Sequence, residues 1–576
     1  MAKFTLFVAV LACLSLTSCF GVKTDWWEDA SIYQIYPRSW KDSNGDGVGD
    51  LKGITQKLDH LKDIGMTATW ISPFFKSPMA DNGYDITDFY DIDPVFGTMA
   101  DFDALIKKAK SLGIKIILDF VPNHSSTECE WFKKSVNRED GYDDFYMWAD
   151  GIVDPNNSSR RLVPSTWQST FGGSMWEWND KRQQFYLHQF LDSQPDFNFR
   201  NPKVHEVMKD ILKFWLDRGV DGFRIDAVKH IYEKVNDDGT YPDFPPSDDP
   251  NDTVNKANKV YTQHQVETKE LLYSWRQFLE DYQKENGGDT RVLLAESYSP
   301  VYILSDYISN GTHSGAQLPM NFKLMDLEEN SNARDVEKLT NEWMDFIWPK
   351  HQTANWVVSN HDAPRAIDRF GSMKKKDLSN ILLTSLPGVA ITYYGEEIGM
   401  TSLSCQLEGG ECPWSETRQF GRSPFQWNDQ IAAGFSNSSD TWLPVVDNYK
   451  EINVKVEQGY ARSSLNVFKN MQKLRRSPAF KAFKNRGGFS YGAVNDQVFQ
   501  IVRSSRFQQY RILLNMCNKT ETVTGLSNSK GELSNMYTYA VVTSNSPHDI
   551  GDKADLRKIV LEPYEAVVLK KTFKLF

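Results

Sequence analysis

Cysteine is scarce, with 6 among 576 residues, and no spacing among them resembles a zinc site. Cys405 and Cys412 flank a glycine-bearing loop and could close a small disulfide in an oxidising compartment. Cys129 and Cys517 are candidates for free, buried thiols. A basic stripe is also missing. Lys and Arg total 65 against 76 Asp and Glu, a net charge of -11, which argues against nucleic acid as a partner. There is no internal repeat and no low-complexity tract. The one long apolar run, Phe4–Leu16, is too short to span a bilayer permanently. With Lys3 before it and small residues up to Gly21 after it, it reads as a secretory signal peptide over residues 1–21. Leu16-Thr17-Ser18-Cys19 also fits a bacterial lipobox, but ordinary cleavage near Phe20–Val22 ranks higher. Residues 570–576 form no long hydrophobic tail, so neither a lipid anchor nor a transmembrane segment is expected.

What is present points to a large globular chain of two or three domains, with 40% hydrophobic residues and a mean hydropathy of -0.51. The 17 Trp, 24 Tyr and 34 Phe can stack on the apolar faces of sugars, although such residues more often fill cores. Sequons at Asn156, Asn157, Asn251, Asn310, Asn437 and Asn518 fit a secreted, extracellular glycoprotein. Asn123 fits the pattern too, but it sits at an expected strand end and should be inaccessible.

Apolar, β-branched runs recur at residues 32–36, 68–72, 114–120, 222–227, 292–296, 316–321, 356–359 and 389–394. Amphipathic helical stretches such as Met99–Leu112 and His205–Leu216 lie between them. Eight β-then-α units imply an all-parallel, buried sheet closed as a (β/α)8 TIM barrel, class α/β. The third interval is too long for a structureless loop. Residues 125–198 are therefore read as an inserted subdomain over one barrel face, dividing the barrel into 22–124 and 199–486. A second elaboration, 401–448, follows the eighth strand. From residue 487 to 576, alternating runs separated by turn residues read as a C-terminal antiparallel β-domain.

Four short segments carry the chemistry: Asp119–His124 (DFVPNH), Gly222–Asp226 (GFRID), Ala295–Ser297 (AES) and Asn360–Asp362 (NHD). Each ends an expected strand, and acids at the C-terminal ends of several strands are how such a barrel builds an active site. Arg224, two residues before Asp226 on one strand, shares its face and should hold it ionised at a lowered pKa, as a covalent nucleophile needs. Glu296 ends an apolar strand, where desolvation would raise its pKa toward that of a general acid. Asp362, beside His361, could accept from sugar hydroxyls as positive charge develops. Taken singly, an R-x-D pair or a strand-end His is more often structural. Their coincidence at the same end of different strands is what favours a site.

These motifs, in this order and over the full chain, resemble the glycoside hydrolase family 13, the α-amylase superfamily. The chain is similar in particular to the α-glucosidase and oligo-1,6-glucosidase branch and most of all to secreted insect maltases. Gln194–Asn198 (QPDFN) resembles the fifth family region. The resemblance implies Asp226 as nucleophile, Glu296 as acid/base and Asp362 as transition-state stabiliser, with Arg224, His124 and His361 contacting glucose. It also implies that Tyr84 stacks on the terminal glucose, that Asp85 binds its hydroxyls, and that Arg422 pairs with Asp85 to wall off the pocket behind one sugar, favouring exo cleavage. Arg418-Gln419 stands where relatives have Arg-Asp, and Ser423 replaces a Thr. The small Ala227 after Asp226 goes, among relatives, with α-1,4 preference, so maltose, sucrose and short oligosaccharides are the expected substrates, cleaved with retention and with transglucosylation as a side activity. A non-catalytic transporter heavy chain on this scaffold would carry a membrane span and often lose catalytic acids; an endo-acting amylase is the nearer rival.

Asp42–Asp50 (DSNGDGVGD) places oxygen donors at Asp42, Asn44, Asp46, the Val48 carbonyl and Asp50, as at the start of an EF-hand loop, although Gly53 stands where the twelfth-position Glu would be. The loop resembles the Ca2+ loop of the same glucosidase branch, with a structural role.

Overall fold

A computed structural model of the chain describes residues 24–243, 259–404, 417–481, 488–526 and 537–571. The signal peptide, the Cys405–Cys412 disulfide and the Asn251 sequon lie outside the described residues.

Eight strands make one parallel sheet: β1 (Ser31–Ile35), β2 (Ala68–Ile71), β3 (Lys115–Phe120), β4 (Gly222–Ile225), β5 (Val292–Ala295), β6 (Leu318–Pro319), β7 (Asn355–Val357) and β8 (Val389–Tyr393). Neighbours in sequence are neighbours in the sheet from β1 through to β6 and again for β7 with β8, while β1 also pairs with β8. Alternate residues face inward. Ile32, Ile117, Val292, Leu294, Val389 and Ile391 pack with Trp70 in the interior cluster. Ile35, Ile116, Leu118, Phe223, Ile225 and Leu293 pack outward with the surrounding helices. A barrel filled by layers of branched side chains is a packed core and not a pore. Gly222 faces the interior where no side chain fits: a Cβ there would lie 2.4 Å from the Val292 carbonyl oxygen.

The sixth strand is much shorter than its apolar run suggests. Pro319 has no N–H to extend a ladder, and side chains take over at the seam between β6 and β7. The Asn355 carboxamide donates to the Pro319 carbonyl at 2.7 Å and accepts from the Asn321 amide at 2.9 Å. Asn321 donates in return to the Asn355 carbonyl at 3.2 Å. Both side chains are fully buried. Asn355→Ala should therefore orphan buried groups on both sides of the seam, at about 1–3 kcal/mol for each group left unmade. A denaturant titration should show the midpoint falling with little change in slope; an unchanged midpoint would mean that the seam carries no stability.

The helices sit where the pattern places them. Leu51–Ile64 is capped by Asp50 and stopped by left-handed Gly65. Met99–Leu112 begins with a Thr98–Asp101 capping box. Pro202–Asp217 starts earlier than its apolar pattern because Asn201 caps it and Pro202 fits the first turn. Between β3 and this helix lies a three-stranded antiparallel sheet of Trp148–Ala149, Gln184–Leu187 and Trp176–Asn179, plus a hairpin of Ile152–Asp154 with Asn157–Leu162. It has its own core of Met147, Trp167, Met175, Trp176, Phe185 and Leu187. After the barrel comes a six-stranded antiparallel sheet built on Val498–Ser505, Gln508–Asn515 and Ala566–Lys571.

No described helix is long and apolar enough to cross a membrane. Asn156, Asn157, Asn310, Asn437 and Asn518 are exposed and Asn123 is buried, as expected. Cys129 and Cys517 are free thiols; Cys129 is buried, but Cys517 is only half-buried, since it sits at the turn leaving the strand Gln508–Asn515.

Candidate active site

Side-chain alternation along β4 sends Arg224 to the interior face and carries the chain on to Asp226 at the rim. Asp226 and Glu296 are each the first residue beyond their strands, so the expected strands over-run by one or two residues. The β4 ladder ends because Ala227 turns into the left-handed region, at φ 49° and ψ 31°, a strained conformation for a residue with a Cβ. The turn has a use: the Ala227 amide donates to Glu296 Oε2 at 2.8 Å.

Arg224 is the hub. Its Nη1 donates to Asp119 Oδ1 at 3.0 Å and also to Asp226 Oδ1, and its Nη2 stands 3.8 Å from Glu296 Oε2. The guanidinium lies 4.8 Å over the Trp70 ring. Asp119 is fixed from its other side by the Trp70 indole N–H and the Tyr84 hydroxyl, both at 3.1 Å. Three acids thus share one cation. Burial, together with the charges of Glu296 and Asp119, pushes the Asp226 carboxyl up against the pull of Arg224. This reverses the expectation that Arg224 lowers it: one guanidinium divided among three carboxylates does not offset their mutual repulsion and burial.

Asp362 behaves differently. Burial works against its charge, yet the carboxyl is held at about 2 by its surroundings. The facing His361 is itself pushed down by burial to about 3 and is neutral. The guanidinium groups of Arg422, at 3.0 Å, and Arg418, at 3.9 Å, therefore keep Asp362 ionised. Gln34 contacts His361 Nδ1 at 2.8 Å, and the Tyr84 ring stacks on the His361 ring at 5.4 Å. Burial lowers His124 to about 4, and its Nε2 lies 3.1 Å from the Tyr84 carbonyl.

One cavity gathers most of these groups. It is lined by Asp81, Tyr84, His124, Asp226, Glu296, His361, Asp362 and Arg418, with aromatic walls from Phe171, Phe190 and Tyr298. Asp85 is not among them. Its oxygens accept from Ser77 Oγ at 2.8 Å and from the Ala80 and Asp81 amides at 2.8 and 3.1 Å, so it is a fully buried anchor of the loop. Nor does Arg422 pair with it, since Arg422 reaches Asp362 and the His361 carbonyl. The ion pair at the wall is Asp81 with Arg418, at 3.0 Å. The correction has a simple cause. Adjacent residues at a turn point apart, whereas Asp81 and Tyr84 are joined by an i→i+3 turn bond of 3.1 Å and present their side chains to one side. The signal in the sequence was thus Asp-x-x-Tyr, with Arg418 from the segment after β8. Lys229 and His230 end the stretch GFRIDAVKH that resembles a family signature region, but the resemblance implies no role for them; Trp70 and Tyr298 carry no motif that separates them from core or surface residues.

In the Asp42–Asp50 loop the carboxylates are turned on the loop itself. Asp42 accepts from the Asn44, Gly45 and Gly47 amides at 3.0, 2.7 and 2.9 Å and from Ser436 Oγ at 2.6 Å. Asp50 caps the following helix through Gly53 N at 2.7 Å. Among the described residues no three His, Cys, Asp or Glu side chains are grouped so that they could hold one metal ion.

Comparison with known proteins agrees with this architecture. Residues 34–482 match the family model for the alpha amylase catalytic domain. The chain is 56% identical over 568 residues to Maltase A2 of Drosophila melanogaster, covering 98% of each. It is 45% identical over 491 residues to a salivary alpha-glucosidase of Aedes aegypti, covering 82% of each. Among solved structures, an alpha-glucosyl transfer enzyme, XgtA, superimposes with a TM-score of 0.79 at 30% identity, over 96% of this chain and 100% of that one.

Proposed function

The chain belongs to the alpha-amylase family and is an α-glucosidase, and from that premise we propose that it removes terminal α-linked glucose from maltose, sucrose and short malto-oligosaccharides with retention of configuration. The observation that carries the mechanism is the sharing of Arg224: one guanidinium touches Asp226 and lies 3.8 Å from Glu296, which draws the two carboxyl groups toward the short separation of about 5–5.5 Å that a double displacement uses. Glu296 gives its proton to the glycosidic oxygen while an Asp226 oxygen bonds to the anomeric carbon. The leaving sugar departs neutral and a glucosyl ester remains. Glu296, now a carboxylate held by the Ala227 amide, takes a proton from water, whose oxygen displaces Asp226 and restores the α-anomer. Asp362, ionised beside two guanidinium groups, accepts from sugar hydroxyls and opposes the positive charge that grows on the ring. A sugar hydroxyl in place of water gives transglucosylation.

The Asp81–Arg418 pair supports exo action, because it stands across the cavity wall where a longer chain would have to pass. The test is proton NMR of early hydrolysis of maltose and of soluble starch: α-glucose appearing first, with maltose the better substrate, is expected. Initial β-glucose would mean inversion, and preferred internal cleavage of starch would mean an endo enzyme.

Export and glycosylation are part of the proposal, supported by the exposed asparagines at 156, 157, 310, 437 and 518. So is structural Ca2+ at Asp42, Asn44, Asp46, Val48 and Asp50, whose binding would require Asp42 and Asp50 to turn from the loop amides they accept from in this structure. The donors are all hard oxygens, three of them carboxylates, which suits that cation; when bound it would neutralise the carboxylates and pin the loop. The protein with calcium should melt higher than with chelator, by the equivalent of about 2.7 kcal/mol at 100-fold excess over Kd, and Asp46→Ala should remove the difference. Equal melting in both conditions would leave the loop as a hydrogen-bonded turn.

A further inference from the structure

Beneath the cavity floor lies a buried polar network that the mechanism above does not use. Gln189 is fully buried, just after the strand Gln184–Leu187. Its side-chain nitrogen Nε2 faces three oxygens: Asp196 Oδ2 at 2.9 Å, Glu233 Oε1 at 2.9 Å and the His230 carbonyl at 2.6 Å. Its carbonyl oxygen Oε1 faces His230 Nδ1 at 2.7 Å. Turned the other way, the amide would set its oxygen 2.6 Å from the His230 carbonyl oxygen, which can only accept; Asp196, pushed by burial up to about 8, and Glu233, also pushed up, do not settle the choice. The orientation is therefore decided by electrostatics, and Oε1 can only accept. His230 Nδ1 must then carry the proton.

Burial, reinforced by Lys229, holds the His230 ring well below the usual imidazole range, so it is neutral and has one N–H. That N–H is spent on Gln189. The same ring lines the cavity beside Lys229 and Phe190, and Lys229 in turn feels the charge of Glu296. With Nδ1 engaged by Gln189, Nε2 is the ring nitrogen left to a ligand in the cavity.

We propose that Gln189 is a positioning residue that locks His230 in its Nδ1–H tautomer, so that Nε2 accepts a hydrogen bond from a hydroxyl of the sugar beyond the cleaved bond. The idea rests on the α-glucosidase reading for the identity of that sugar, but not for the tautomer. The His230 carbonyl, an acceptor only, is what makes the lock one-directional. Asp196 is further tied by Asn123 Nδ2 at 3.1 Å and the Gln189 amide at 3.3 Å, so the acceptors facing Nε2 do not turn away.

Two measurements test it. In wild-type protein labelled with 15N-histidine, two-bond 1H–15N correlation should show the signal lost in His230→Gln as a neutral Nδ1–H imidazole. An Nε2–H or doubly protonated ring would overturn the proposal even in a fully active enzyme. In Gln189→Met, KM for maltose should rise roughly tenfold, the scale of one hydrogen bond, with kcat little changed. The rate on 4-nitrophenyl α-glucoside, whose leaving group offers no hydroxyl, should stay near wild type. Equal losses on both substrates, or an unchanged KM for maltose, would reduce Gln189 to a structural role. If wild-type protein hydrolysed neither glucoside, the functional reading would fail while the tautomer result stood by itself. Should the variant not fold, the wild-type spectrum still decides.

Discussion

Asp226→Asn should abolish turnover, with kcat on maltose falling by roughly 10^4-fold or more, the scale seen when a nucleophile is removed from a catalytic unit. The fold should survive the change. Asn keeps the oxygen that accepts from Arg224, and relieving one of three crowded carboxylates removes repulsion. The stereochemistry gives a sharper check than the rate. With Asp226 shortened to Ala, azide can enter from the vacated side, and the product should be β-glucosyl azide. With Glu296→Ala the glucosyl ester still forms from a good leaving group, and azide should then give the α-product. Activity of Asp226→Asn within a few-fold of wild type would be fatal to the assignment of this residue.

Arg418→Ala is expected to have the second largest effect, on kcat/KM more than on stability. Arg418 holds Asp81 at 3.0 Å, approaches Asp362 at 3.9 Å and lies 4.7 Å over the Phe171 ring, so it ties three sides of the cavity together. Losing a hydrogen bond between charged groups costs about 1.5–3 kcal/mol, so a fall of roughly 10–150-fold on maltose is expected. Because the wall is opened, the rate on long starch relative to maltose should rise. Asp81, whose carboxyl burial already pushes up, would lose its chief opposing charge and should take up a proton more readily. Asp85→Asn makes the contrast: it disturbs a loop anchor outside the cavity, so melting temperature should fall with KM less affected. Kinetics in which Asp85→Asn behaves like Arg418→Ala would return the glucose contact to Asp85.

Turn geometry and charge sharing shape the site in different ways. The family resemblance of Gly83-Tyr84-Asp85 implies Asp85 as the glucose contact; turn geometry, which joins Asp81 to Tyr84, brings Asp81 to the cavity instead. The Asp226 carboxyl was expected to fall because Arg224 is two residues away on one strand; that contact exists, but Asp119 and Glu296 arrive from other strands to share it. A local pattern can foretell a pair. It cannot foretell how many other groups converge on the pair.

Eight strand–helix units are legible in the amino acids alone, as apolar runs at strand length between amphipathic helices, and so is the place of Asp226 and Glu296 just past their strands, because side-chain alternation and strand termination are local properties; Asp362 lies five residues beyond Val357, in the loop after β7. Which partners those acids meet depends on how the strands are brought together. The tertiary structure also sets the Asn321–Asn355 closure of the sheet, the left-handed turn at Ala227 and the choice of Asp81 with Arg418. Those depend on the distance between segments far apart in the chain and on the charge they bring into a buried space, where a shared guanidinium or an amide facing three oxygens changes the chemistry of every neighbour.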